Sequence, residues 1–226
     1  MILFQGAGRQ MAELQNFFDT YWTSSGGAPP EHDPMVPRRI ALLLQTLKHL
    51  DVKRILDVGC GNGFVAEQVR RQGYETIGMD VSKNAIERAR STYPEIQFVE
   101  GACDKRWPFE DETFDAIYTF EVIEHVLDTY TMLAEMNRTL KPGGILVLTT
   151  PFHGLIKNLF LVMFNFDKHF CNIKDGHIRF FTSKHLKRLL GDFGFEVFEQ
   201  RQYGRMRPVP LGTYMAARKL SFILSK

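Results

Sequence analysis

The apolar positions of this chain fall into short runs that alternate with longer stretches of helical spacing. Ile55, Leu56 and Val58 form one such run, closed by a cluster of glycines, and predict a buried parallel strand ending in a tight turn. Val65 to Arg71 then follow a helical pattern. Glu75–Asp80 predicts a second strand, Ser82 the cap of a helix through Ala85, Ile86 and Ala89, and Ile96–Val99 a third strand. Thr113–Phe120 predicts a fourth strand and Tyr130–Leu140 a helix, and Lys141-Pro-Gly-Gly144 reads as the turn into a fifth strand, Gly144–Thr150. This alternation argues for an α/β, doubly wound, mostly parallel sheet. A helix near Ser183 to Leu190 precedes Phe195–Gln202 and Leu211–Arg218, which predict an antiparallel hairpin closing a seven-stranded sheet.

Ahead of this unit, Met11, Leu14, Phe17 and Phe18 stand at helical spacing, Ser24 to Pro30 breaks the pattern, and a second helix starts near Pro37 and runs through Ile40, Leu43, Leu44 and Leu47. The division that follows is a start over 1–10, a helical cover or lid over 11–50, and a catalytic-type domain over 51–226 with an insertion at 151–181. Met1-Ile-Leu-Phe-Gln-Gly6 looks partly like the scar of a cleavable tag and is set aside. The 226 residues suffice for one α/β domain with a sizeable core. A net charge of +2 gives no strong electrostatic case for a nucleic-acid partner. Cys60, Cys103 and Cys171 form neither a CxxC pair nor an even disulfide set, and no signal peptide or bilayer-length apolar run is visible, so a cytoplasmic setting is expected.

Chemistry concentrates at the first turn. Gly59, Gly61 and Gly63 allow positive φ and let a ligand approach the backbone, and the following helix turns its free N–H groups toward that ligand. The spacing is not the dinucleotide fingerprint: the third glycine comes one residue early and Phe64 takes the place of the last one. That disfavours a nicotinamide-dependent dehydrogenase. Asp57, inside the strand end, would repel a pyrophosphate but suits an ammonium or sulfonium. Asp80, 17 residues past Gly63, stands near the offset at which a carboxylate takes ribose hydroxyls, and Asp104 follows the third strand.

Asp57-x-Gly59-x-Gly61-x-Gly63, Asp80, Asp104 and the Lys-Pro-Gly-Gly turn closely resemble the class I S-adenosylmethionine-dependent methyltransferases over Asp51 to Thr150. The resemblance implies a Rossmann-like fold and S-adenosyl-L-methionine as cofactor, with S-adenosyl-L-homocysteine as product. It implies that Asp57 and the glycines hold the amino-acid end, Asp80 the ribose and Asp104 the adenine, with Val81 and Phe120 also cofactor-binding. Arg38 or Arg39 could meet the ligand carboxylate, and Tyr21-Trp22 could belong to a lid; the plain alternatives are solvated charges and packing aromatics.

A second constellation follows the fourth strand. If the chain turns helical there, Glu121, Glu124 and His125 share one face at i, i+3 and i+4 and offer a hard-cation site. His177, in Asp175-Gly-His-Ile-Arg-Phe-Phe181, could add a fourth ligand. The run resembles the ubiquinone-biosynthesis O-methyltransferases, which share Glu-Val-x-Glu-His. It also resembles the small-RNA 3′-terminal 2′-O-methyltransferases, in which two Glu and two His bind a divalent ion. By resemblance, Glu121, Glu124, His125 and His177 are the ligands of Mg²⁺ or another divalent cation, and Glu124 and His125 the catalytic pair. Two other readings stay open: His125 alone as general base, and a structural Glu-His pair.

The third informative stretch is Phe152–Phe170, where Leu155, Ile156, Leu159, Phe160, Val162, Met163 and Phe166 form an apolar stripe opposite Lys157 and Asn158. It reads as a core helix, as a lid over an apolar acceptor pocket, or as a peripheral membrane contact through 155–166. His153, His169, Phe180 and Phe181 are candidate pocket walls. The reading that combines these features is O-methylation of a small or lipophilic hydroxylated acceptor. The alternatives are 2′-O-methylation of an RNA 3′ end, to which the resemblance of the Glu-His run points but for which Arg201, Arg205 and Arg207 give only a modest basic cluster, and a catalytically silent cofactor-binding module.

Overall fold

The computed structural model describes residues 32–164, 176–204 and 210–220. The predicted helix around Met11–Phe18, Tyr21, Trp22, His169, Cys171, Arg205 and Arg207 lie outside them. In chain order the elements are α1 (Val36–Leu47), β1 (Arg54–Val58), α2 (Phe64–Arg70), β2 (Glu75–Asp80), α3 (Lys83–Thr92), β3 (Gln97–Glu100), β4 (Phe114–Phe120), a short 3₁₀ turn (Ile123–His125), α4 (Thr129–Thr139), β5 (Leu140–Pro151), α5 (Leu155–Phe164), α6 (Ser183–Asp192), β6 (Phe195–Tyr203) and β7 (Gly212–Lys219).

The seven strands lie in the order β3-β2-β1-β4-β5-β7-β6. The first five pair in parallel, and β7 runs antiparallel to both of its neighbours. The chain reverses direction across the sheet between β1 and β4, which opens a crevice at the carboxyl ends of these strands.

The sheet is buried on both faces, which is why its central strands are apolar throughout. On one face Leu56, Ile117, Leu146, Leu148 and Met215 pack with Met132, Leu133 and Met136 of α4 and Leu186 and Leu190 of α6. On the other, Ile55, Tyr118, Ile145, Val147 and Tyr214 meet Leu42, Leu43 and Leu47 of α1. Leu43 and Leu47 are fully buried, and each such side chain stabilises the fold by about 1.5–3 kcal/mol. The helical cover is therefore part of the core from Val36 onward. Ser82 caps α3 as its sequence position predicts, its hydroxyl accepting from the Ala85 N–H at 3.2 Å.

One boundary differs from expectation. Lys141–Gly144 does not stand outside the sheet as a turn: β5 begins at Leu140 and carries these residues as a bulge. Leu140 pairs with Phe114 and pairing resumes at Ala116 with Ile145. Leu140 is fully buried, so the strand keeps its pairing on both sides of the extra residues. The Lys141 ammonium donates to Asp115 at 2.6 Å across the bulge.

Candidate active site

The glycine turn lies at the carboxyl end of β1, where Gly59, Gly61 and Gly63 have φ of +78°, +52° and +79°. The N–H groups of Gly59 and Cys60 donate to the Met79 carbonyl at 2.8 and 3.1 Å, which fastens the turn to β2. A Cβ on Gly59 would come within 2.4 Å of Val122 Cγ2, and one on Gly63 within 2.6 Å of the Phe98 ring. Glycine is thus required at both positions by the protein's own packing as well as by backbone geometry.

Asp57 and Asp80 stand in the carboxyl ends of β1 and β2, and Asp104 lies four residues past the end of β3. Asp57 is almost fully buried and accepts from the Tyr118 hydroxyl at 2.8 Å. Burial pushes its pKa up to about 8, against the lowering effect of the Tyr118 bond and with a further push from Asp80. Asp80, also buried, accepts from the N–H of Gly61 at 2.9 Å and of Ser82 at 2.9 Å. It therefore shapes the glycine turn besides facing the crevice end of β2. Asp104 is half-buried in the segment after β3, and Val81 and Phe120 are half-buried at neighbouring strand ends. A cation beside Asp57 would favour its ionised form against burial and the push from Asp80, and an S-adenosyl cofactor supplies one in its ammonium and sulfonium.

The raised Asp57 pKa has a measurable consequence. The folded protein keeps a proton that the unfolded chain releases above its ordinary pKa of 3.8, so stability falls as pH rises from about 4 to about 8. The slope for this single group is at most about 1.4 kcal/mol per pH unit. Urea midpoints of the wild type and Asp57→Asn, measured from pH 5 to pH 8, are expected to diverge in favour of the variant. Parallel curves would refute the assignment.

The arginines of α1 divide. Arg38 lies on the exposed face, whereas Arg39 is turned inward. Arg39 donates to Asp33 and to the Tyr203 hydroxyl, each at 2.8 Å, and its second terminal nitrogen lies 3.4 Å from Glu121. Tyr203 in turn donates to Glu121 at 3.0 Å. Arg39 is thus engaged by two acids of the protein itself.

This network explains what happens after β4. The helical continuation expected from Glu121 does not form. Glu121 takes φ +56°, its N–H donates to the Thr149 carbonyl at 3.1 Å in continuation of the sheet, and only Ile123–His125 make a 3₁₀ turn. Glu121 therefore points at Arg39 and Tyr203, away from the position that i, i+3 spacing would give it. The ligand atoms of Glu124, His125 and His177 do converge, all within 4.8 Å of one another.

Glu124 is 1% exposed. Its Oε2 accepts from the Thr150 hydroxyl at 3.1 Å, while Oε1 is buried with no hydrogen-bond partner among the described residues. Burial, then the charge of Glu121, hold its carboxyl well above the usual carboxylate range. His125 and His177 face each other with ring centroids 4.7 Å apart. His125 Nδ1 lies 3.0 Å from the Gly176 carbonyl. A carbonyl only accepts, so this bond puts the proton on Nδ1 and the lone pair on Nε2.

The insertion helix has its polarity reversed with respect to the core. Leu155 is 85%, Phe160 60% and Met163 63% exposed. On the other side, Lys157 donates to the Phe152 carbonyl at 2.8 Å and the Asn158 side chain meets His153 Nδ1 at 3.1 Å. Over its described residues, α5 is therefore no core helix. Buried His153 stands edge-on to Phe180 at 4.8 Å, but Phe181 packs into the main core instead of a pocket wall.

Three contributors escaped the sequence reading: Tyr118, Thr150 and Tyr203. Tyr118 could have been found, because strand order alone sets it opposite Asp57 in the β1–β4 register. Thr150 is set beside the turn after β4 by the β4–β5 register in the same way, whereas Tyr203 depends on β6 folding back and leaves no local signal.

A doubly wound sheet with a glycine turn and acids at or just past the ends of its first three strands defines a class, the S-adenosylmethionine-dependent methyltransferases of class I. The chain matches a family model described as a methyltransferase domain over residues 33–200, and it belongs to that family. A ubiquinone biosynthesis O-methyltransferase from Aliivibrio fischeri is 30% identical over 159 residues, covering 67% of this chain and 68% of that protein. The 1,6-didemethyltoxoflavin-N1-methyltransferase of Burkholderia thailandensis, solved with S-adenosylhomocysteine bound, superposes with a TM-score of 0.72 at 19% identity, over 95% of this chain and 90% of that one. A [4+2]-cyclase, SpnF, superposes at 0.66 and 19% identity, over 82% and 81% of the two chains. At such identities structural likeness speaks for the fold alone, and the fold hosts more than one reaction.

Proposed function

We propose that the protein methylates a hydroxyl oxygen of a small or lipophilic acceptor, with a divalent cation held by Glu124, His125 and His177. The observation that carries the cation is the convergence of these three side chains around a buried carboxylate oxygen that has no hydrogen-bond partner among the described residues. The choice of oxygen rests on the likeness to the ubiquinone-pathway O-methyltransferases. The lipophilic character rests on the exposed apolar side of α5. An acceptor held in a bilayer would bring this side, the described part of the 155–166 contact, against the lipid.

When bound, the cofactor supplies a methyl group on an already activated sulfonium. A cation at the three-residue site would lower the pKa of the acceptor hydroxyl and orient it. The chain itself contributes alignment, which accounts for most of the rate in such a displacement. Asp57, Asp80 and Asp104 fix one reactant, and the turn Ile123–His125 approaches from the end of the neighbouring strand β4.

Calorimetric titration of Mg²⁺, Mn²⁺ and Co²⁺ into the protein saturated with S-adenosylhomocysteine tests the cation. Stoichiometric binding that is weakened about 100-fold or more, though still measurable, in His177→Ala is expected. Absence of binding in the wild type would leave the second reading, His125 Nε2 as general base, for which the Gly176 bond speaks. Methylation of an RNA end finds less support, since Arg201 ion-pairs with Glu199.

The acceptor side has its own test. Phe160→Ser and Met163→Ser are expected to lower kcat/KM for a long-chain catechol about tenfold or more and to leave that for catechol itself unchanged. Equal effects on both would remove α5 from acceptor binding.

A further inference from the structure

His177 arrives at the cation site on a segment that has no regular structure of its own: neither helix nor strand runs through 176–182. What holds it there is a set of bonds to the turn after β4. The N–H groups of Ile178 and Arg179 both donate to the Glu124 carbonyl, at 3.0 and 3.2 Å. The Gly176 carbonyl meets His125 Nδ1. Beyond these, the Arg179 guanidinium reaches back with two arms, one to the Val126 carbonyl and one to the Leu127 carbonyl at 2.6 Å.

The two kinds of bond constrain different motions. Both main-chain donors converge on a single oxygen, so by themselves they allow the segment to pivot about the Glu124 carbonyl. The Gly176–His125 bond is a second attachment on the N-terminal side of His177, and the guanidinium adds a third, two to three residues further along the turn, whose planar fork fixes direction as well as distance. A pivot of the segment would carry the His177 ring away from His125 and Glu124.

We propose that Arg179 is a positioning residue: it holds His177 in the cation site by clamping the carbonyls of Val126 and Leu127. The inference rests on the cation reading given above, and it assigns to Arg179 no contact with substrate or cofactor. Outer-shell partners of this sort typically control metal affinity by 10- to 100-fold.

The test is a Co²⁺ titration of the protein saturated with S-adenosylhomocysteine, followed by calorimetry, on the wild type, Arg179→Gln, Arg179→Lys, His177→Ala and the double variant Arg179→Gln/His177→Ala. Arg179→Gln should weaken Co²⁺ about 10- to 100-fold with unchanged affinity for S-adenosylhomocysteine. Arg179→Lys should not rescue it, because a point charge cannot span two carbonyls. The double variant should bind no more weakly than His177→Ala alone, since Arg179 acts only through His177.

Unchanged Co²⁺ affinity in Arg179→Gln, with or without a lower Tm, would overturn the positioning role while leaving the cation reading intact. Additive losses in the double variant would likewise overturn it. Should Arg179→Gln fail to fold, Arg179→Lys, which keeps charge and stem, decides by the same criteria. A wild type that binds no Co²⁺ would sink the cation reading itself, and this inference with it.

Discussion

Glu124→Gln is expected to abolish cation binding and to lower turnover by about 100-fold or more, while leaving the protein at least as resistant to heat as the wild type. The first half follows from charge: the one anionic ligand of the three is removed, and an ion that stabilises a developing alkoxide contributes several kcal/mol. At about 1.4 kcal/mol per factor of ten, the rate loss has this size. The second half follows from burial. Glu124 is 1% exposed and one carboxylate oxygen has no partner among the described residues, so its ionised form weighs against the folded state when no cation is present. A neutral side chain of the same shape removes that burden. Thermal unfolding without added metal, together with initial rates at saturating cofactor, checks both halves. A variant that unfolds well below the wild type and retains its activity would mean that Glu124 is a structural acid.

Gly59→Ala should weaken S-adenosylhomocysteine binding by tenfold or more, and with it the binding of Co²⁺. The residue stands at φ +78°, where an alanine costs about 1–2 kcal/mol. The larger effect is steric, because the new methyl group would lie 2.4 Å from Val122 Cγ2. Val122 sits between Glu121 and the turn that carries Glu124 and His125, so the displacement passes from the cofactor side to the cation side. Gly73→Ala provides the control. Its φ is +94°, yet a Cβ there meets nothing within 4 Å, so it brings strain without a clash. If isothermal titration gives the two variants the same affinities, the contact with Val122 does not link the sites.

Much of this arrangement was legible in the order of residues. The second strand matched its expected limits, and Asp57 and Asp80 fell where the first two strands end, with Asp104 four residues past the third, because apolar runs and glycine turns are local signals. Glu121 shows where locality fails. Its spacing to Glu124 and His125 suggests one helical face, but its conformation is set by Arg39 and Tyr203, which lie 82 residues away from it in each direction. No window of sequence contains that competition. For α5 the limit was different. The stripe was visible and the helix formed, but amphipathicity distinguishes two faces without saying which of them meets the protein. Here the polar face does, through Lys157 and Asn158.

The sheet order also bears on how the chain is made. Of the described strands β7 is made last, yet it lies between β5 and β6. Until Gly212–Lys219 has emerged, β5 has an open edge along Ile145–Leu148, a stretch that is almost fully buried in the finished protein. At roughly 5–20 residues per second this edge waits for seconds during synthesis. Helices α5 and α6 and strand β6 are all translated in that interval and cannot dock as a completed sheet. The nascent protein is therefore most exposed to misassociation late in translation, when the nucleotide-binding half is already complete.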